Sequence, residues 1–125
     1  MKGGEKMIID WNNVDNKVVW DFVIERGLGD LKEGERMEVY YHTKNKELFA
    51  SICSADWLHL GFDNPEEFVF IYSFENLEHY WVKKKEEITI DEDLLKQLEE
   101  DNNVWKDYVL KLYFEDWMQV KLPEL

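Results

Sequence analysis

Apolar residues along this chain fall into blocks whose spacing changes from one block to the next. Residues 7–11 (MIIDW) are a short apolar run, read as an edge strand. Val14, Val18, Val19, Phe22 and Val23 then recur three and four positions apart, with Asn12 and Asn13 ahead of them as capping candidates. Such spacing lines one stripe of a helix, so a helix is predicted over 13–26. Gly27 and Gly29 follow it, and glycine there reads as a C-cap because it enters the left-handed conformation freely.

The middle of the chain changes period. Residues 36–43 (RMEVYYHT) alternate, and 47–53 (ELFASIC) can pair back across a tight Lys44-Asn45-Lys46 connection. With Thr43 opposite Leu48, Tyr41 meets Ala50 and Val39 meets Ile52, and one face of the hairpin becomes apolar. Residues 67–74 (EFVFIYSF) and 77–83 (LEHYWVK) are read as a second hairpin turning near Glu75-Asn76, with Phe70 opposite Trp81 and Ile71 opposite Tyr80. Both faces of that hairpin are apolar, which places it centrally in the sheet. Between the hairpins, 54–66 carries Trp57, Leu58, Leu60 and Phe62, ends near Pro65, and has room for a short helical turn.

Helical signals return afterwards. Thr89 or Asp91 can cap a helix over 92–101 whose first-turn acids suit the helix dipole. Asn102 and Asn103 break it and cap a successor carrying Val104, Trp105, Tyr108, Val109, Leu112 and Tyr113, which runs to about 117. Residues 108–114 also suit a strand, because Tyr, Val and Phe favour pleated surfaces. The expected fold class is α+β: an N-terminal helix, a four-stranded mostly antiparallel sheet built from two hairpins, and two C-terminal helices.

Composition narrows this picture. The 125 residues suit a single domain spanning 1–125, and 45% hydrophobic with 15% aromatic content argues for a packed core. Lys2 to Lys6 could be encoded by a ribosome-binding sequence, so residues 1–6 are expected to be a disordered leader before a native start at Met7. Lysine outnumbers arginine 13 to 2, which fits an AT-rich bacterial or phage genome. The lone Cys53, the polar amino terminus and the absence of a long apolar run lead to a cytoplasmic expectation.

The formal net charge is −13. It opposes direct nucleic-acid binding and anionic membranes, and favours a basic protein partner. The charge is uneven: residues 86–125 hold twelve acids against four lysines, a net of −8.

Candidate chemistry is sparse. Cys53 falls opposite Glu38 in the expected register, and a neighbouring carboxylate raises a thiol pKa, the wrong direction for a nucleophile. His42, His59 and His79 are scattered; Asp56-x-x-His59 is the one close metal-like pair, and no zinc or EF-hand spacing occurs. No metal and no cofactor is expected. Gly27-Leu28-Gly29 follows a helix, so it offers phosphate no helix N-terminus. As acid–base candidates, the pairs Glu66-Glu67 and Glu86-Glu87 and the run Glu99-Glu100-Asp101 read as surface charge, and Lys83-Lys84-Lys85 as a solvated strand end. These readings point away from an enzyme.

The last third carries the remaining signal. Glu92, Asp93, Glu99, Glu100, Asp101, Asp107, Glu115 and Asp116 lie on the two expected helices, spaced roughly as phosphates along a strand. Trp105, Tyr108 and Trp117 sit among them. Carboxylates around aromatic anchors are what a binder of a basic groove would carry. The alternative is an ordinary acidic helix face whose aromatics are core. In general character the chain resembles phage counter-defence proteins (anti-restriction and anti-CRISPR inhibitors) and bacterial toxin-immunity proteins: small, acidic, aromatic-rich and without motifs. That resemblance implies an inhibitor of a basic partner such as a nuclease. A non-inhibitory adaptor and an enzyme with a dispersed site are the alternatives. Reversing Glu99, Glu100 and Asp101 to lysine is expected to slow association with the partner and leave the fold intact.

Overall fold

The structure, a computed structural model, describes residues 8–54 and 64–125. Its elements are α1 (Asn16–Glu25), β1 (Glu35–His42), β2 (Glu47–Ser54), β3 (Phe68–Glu75), α2 (Leu77–Lys85), α3 (Glu92–Glu100) and α4 (Asn102–Trp117). The expected leader and the segment with Asp56, Trp57, Leu58, His59, Leu60 and Phe62 lie outside the described residues. None of the described helices is long and apolar enough to cross a membrane.

The class is α+β, but among the described residues the sheet has three strands in the order β2-β1-β3, with both neighbours antiparallel to β1. The expected fourth strand is the helix α2, and β3 pairs with β1. Asn76 decides this locally: its side chain accepts the His79 N–H at 2.9 Å and caps the helix. Leu77, Tyr80 and Trp81 then fall on one buried helical stripe, while Lys83, Lys84 and Lys85 lie in the last turn, where the dipole favours cations. The packed stripe outweighs the strand preference of Tyr, Trp and Val.

The first hairpin forms with its register displaced by two residues. Tyr41 faces Leu48, Val39 faces Ala50, and Met37 faces Ile52. A slip of two preserves every side chain's face, so the apolar pattern alone cannot exclude it. The turn selects the register: His42 pairs with Glu47 across Thr43–Lys46, the Lys46 N–H donates to the His42 carbonyl at 2.8 Å, and Lys46 adopts φ 55°.

The amino-terminal expectations also shift. Residues 8–10 form no strand and Trp11–Asn13 is a 3-10 turn, although the Ile9 N–H donates to the Lys46 carbonyl at 2.7 Å. Asp15 caps α1, accepting from the Val18 N–H at 2.9 Å, so Asn12 and Asn13 precede the cap. Gly27 ends the helix with φ 95°, in the C-cap role its position implied. Pro65–Glu67 is a 3-10 turn leading into β3. α3 begins on Asp91, which accepts from the Asp93 N–H at 2.8 Å. α4 is helical throughout, including 108–114, and its cap is Asp101 rather than either asparagine.

One core unites these elements. Met37, Val39, Tyr41 and Phe74 of the sheet meet Val19, Trp20 and Val23 of α1 and Val109, Tyr113 and Trp117 of α4. Trp117 has its ring centroid 4.8 Å from both Phe74 and Tyr72. Its indole N–H donates to the Asn16 carbonyl at 2.8 Å, and Asn16 Nδ2 donates to the carbonyls of Trp117 and Val120 at 2.6 Å each. The start of α1 and the end of α4 therefore satisfy each other's backbone groups. α2, α3 and α1 all pack against α4, which makes it the hub of the helical layer.

Candidate protein-binding surface

The carboxylates singled out from sequence separate into two groups. Glu92, Asp93, Glu99, Glu100, Asp101, Asp107 and Glu115 are all exposed. Asp116 is engaged: it accepts hydrogen bonds from the Tyr80 hydroxyl and from Lys84 Nζ, the latter at 3.0 Å. Tyr80 in turn stacks flat on Tyr113, with centroids 4.1 Å apart. Burial raises the Tyr80 phenol well above its ordinary value, and the hydrogen bond to Asp116 adds to the shift. Lys84 is also raised, first by its hydrogen bond to Asp116. Asp116 thus ties α4 to α2 and serves the fold.

The aromatic residues divide in the same way. Trp117 is 1% exposed and belongs to the core, so it offers no surface to a partner. Burying the indole satisfies its N–H on Asn16 and packs its ring against two sheet aromatics, and nothing in its sequence neighbourhood distinguishes it from Trp105. Trp105 and Tyr108 are half-buried on α4. Tyr108 meets Trp81 edge-on at 5.9 Å.

Trp105 borders a groove that sequence reading missed, because one of its three walls comes from α2. The groove has a volume of about 270 Å³ and runs between α2, α3 and α4. Trp81, Leu95, Leu98 and Trp105 supply its apolar lining. The exposed Glu78, Lys85, Glu99 and Asn102 stand at its rim. Lys85 Nζ lies 5.8 Å from the centroid of the Trp81 ring, within reach of a cation–π contact. The available signal was Asn76 followed by Leu77, Tyr80 and Trp81 and closed by three lysines, which is a capped helix with a cationic last turn.

Electrostatics along α3 are unusual at one end. Glu92 and Asp93 sit in its first turn, where the dipole favours them. Glu99 and Glu100 occupy its last turn, where carboxylates are disfavoured, and no basic residue shares that turn. The adjoining start of α4 is already capped by Asp101, which accepts from the N–H groups of Asn103 at 2.9 Å and Val104 at 3.4 Å. That cap alters the expectation for a triple reversal: lysine at 101 would strip α4 of its cap and cost about 1 kcal/mol.

Elsewhere the candidate chemistry is absorbed into the structure. Cys53 is buried, its Sγ lies 3.7 Å from Glu38 Oε1, and burial followed by the Glu38 charge raises the thiol. In the observed register Arg36 rather than Glu38 faces Cys53, and Glu38 reaches the thiol diagonally. Glu38 also accepts from Arg36 Nε at 3.2 Å and from the Tyr40 hydroxyl at 3.0 Å. A second cleft of about 450 Å³ holds Arg36, Tyr72, Glu75, His79 and Lys83. There the Glu75 carboxylate lies 3.0 Å from both His79 Nε2 and Lys83 Nζ. Among the described residues, no three His, Cys, Asp or Glu side chains converge where they could hold a metal ion.

Comparisons with protein-family models, curated proteins and solved structures found no match to this chain, so its functional reading rests on these side chains alone.

Proposed function

We propose that this chain is a small acidic inhibitor that binds a basic surface of a partner protein. The partner class is a nucleic-acid-handling enzyme such as a nuclease, met in a bacterial cytoplasm. This is the kind of activity shared by counter-defence and toxin-immunity proteins. The observation that carries the reading is the end of α3. Glu99 and Glu100 are exposed, placed against the local dipole, and set beside an aromatic groove. Charges that oppose local stability while facing solvent suit a role outside the fold. The contacting set is Glu92, Asp93, Glu99, Glu100, Asp101, Trp105, Asp107 and Tyr108. Asp116 and Trp117 are withdrawn from it, and Glu115 lies near the same engaged end of α4.

A protein of charge −13 should meet a basic partner quickly, and salt should slow the encounter. The test uses the wild-type chain and the Glu100→Lys/Asp107→Lys variant, both immobilised, to recover host proteins. Association of the recovered protein is then timed at low and physiological ionic strength. The double reversal is expected to slow association roughly tenfold at low salt. Equal rates for both chains, insensitive to salt, would overturn the reading. The partner's own activity must fall on binding; unchanged activity would assign the adaptor role.

A further inference from the structure

The groove between α2, α3 and α4 brings together the half-buried Trp105 indole, the largely buried Trp81, the aliphatic Leu95 and Leu98, and carboxylates at the mouth. Its volume of about 270 Å³ suits one long side chain and is too small for a helix or strand. The chain's own Lys85 shows the chemistry of the place, holding its ammonium 5.8 Å from the Trp81 ring. We propose that this groove receives an arginine side chain of the partner, its guanidinium stacked on the half-buried Trp105 indole beside the largely buried Trp81 ring and paired with Glu78 and Glu99. The inference depends on the reading above only for the partner's basic character.

Arginine fits better than lysine for stated reasons. Its planar, weakly hydrated guanidinium can lie flat on an indole and still present N–H groups edgewise to a carboxylate, which a spherical, strongly hydrated ammonium cannot do. Glu99, at the disfavoured end of α3, gains a counter-charge when the groove fills. Lys85 becomes a competitor: it is exposed at the end of α2 and must swing away for a guanidinium to enter. Removing it should therefore tighten binding.

The test titrates the isotope-labelled full chain with a capped arginine–glycine peptide and, separately, its lysine–glycine counterpart. The indole N–H resonance of Trp105 should move saturably with the arginine peptide, while those of Trp20 and Trp117, in the core away from the groove, stay in place. Trp105→Ala should weaken binding roughly tenfold, and Glu78→Gln by a few-fold. Lys85→Gln should tighten it more than Lys111→Gln, an exposed lysine outside the groove whose loss changes net charge equally. Equal response to both peptides, indifference to both Trp105→Ala and Glu78→Gln, or equal tightening by the two lysine variants would each overturn the proposal. Peptide binding in the groove with native association untouched by Glu100→Lys/Asp107→Lys would keep the pocket and reject the inhibitor reading. The reverse pattern would keep the steering surface and reject the pocket.

Discussion

Near its amino end α4 carries Trp105 and Asp107; at its carboxyl end it carries Asp116 and Trp117. The residue types are the same, and the structure treats them oppositely. At the carboxyl end the tryptophan is sealed against Tyr72 and Phe74, and the aspartate is bound by Tyr80 and Lys84. At the amino end the tryptophan is half-buried beside a groove, and Asp107 is exposed. What separates them is which neighbouring side chains reach each end. α2 brings the Tyr80 phenol and the Lys84 ammonium onto Asp116 at the closed end, whereas at the open end α2 and α3 line a groove and leave Glu99 and Glu100 exposed. An acid next to a tryptophan is therefore ambiguous until its packing partners are known.

The contrast can be broken most forcefully at the two tryptophans. Trp117→Ala should destabilise the domain by about 3–5 kcal/mol in denaturant unfolding, because the cavity opens against rigid sheet aromatics. Trp105→Ala should cost less than half as much, and comparable losses would erase the distinction between the two ends. Next comes Asp116→Ala, which leaves the Tyr80 hydroxyl and the Lys84 ammonium without their shared acceptor. It should cost about 1 kcal/mol, kept modest because Asp116 is partly solvated. Asp107→Ala should leave stability unchanged in the same assay.

Alkaline titration sharpens the comparison further. Tyr80 is held protonated above the ordinary value of 10.0, chiefly by burial and then by Asp116. Tyr113 is raised as well, by burial first, and Tyr40 is pushed up to about 12 by burial and by Glu38. A raised folded pKa gives stability that is complete below the unfolded value and lost as pH climbs through the folded one. Stability should thus hold to near the ordinary tyrosine value of 10.0 and fall above it. Tyr80→Phe should flatten that decline, as followed by unfolding at successive pH values. A decline of unchanged steepness would contradict the role given to the closed end.

Much of this was legible in the chain. α3 and α4 follow from Asp91, a run of first-turn acids and apolar residues at helical spacing, and their ends fall within a residue of expectation. The first hairpin was legible as a pair but not in register, since a two-residue slip leaves every face intact and only the turn backbone distinguishes the options. α2 was misread because Tyr80, Trp81 and Val82 favour strands, and because Phe70 and Trp81 could be paired on paper. The cap at Asn76 and the lysines at 83–85 outweighed those preferences. That error hid the groove, one wall of which comes from α2. It also hid the status of Asp116, whose partners Tyr80 and Lys84 are on the same helix. Long-range pairing, rather than local propensity, separated the structural acids from the exposed ones.

The smallest stability effect carries the most information. Reversing Glu100 and Asp107 to lysine reduces self-repulsion and replaces an acid in the last turn of α3 with a cation, so the domain should gain a few tenths of a kcal/mol. The decisive measurement pairs thermal unfolding of the Glu100→Lys/Asp107→Lys variant with its association rate for the recovered partner. Equal or higher Tm together with markedly slower association is the predicted result: those acids serve binding at no benefit to the fold. A lowered Tm with an unchanged association rate would contradict it, and would make the acidic end of α3 as structural as Asp116.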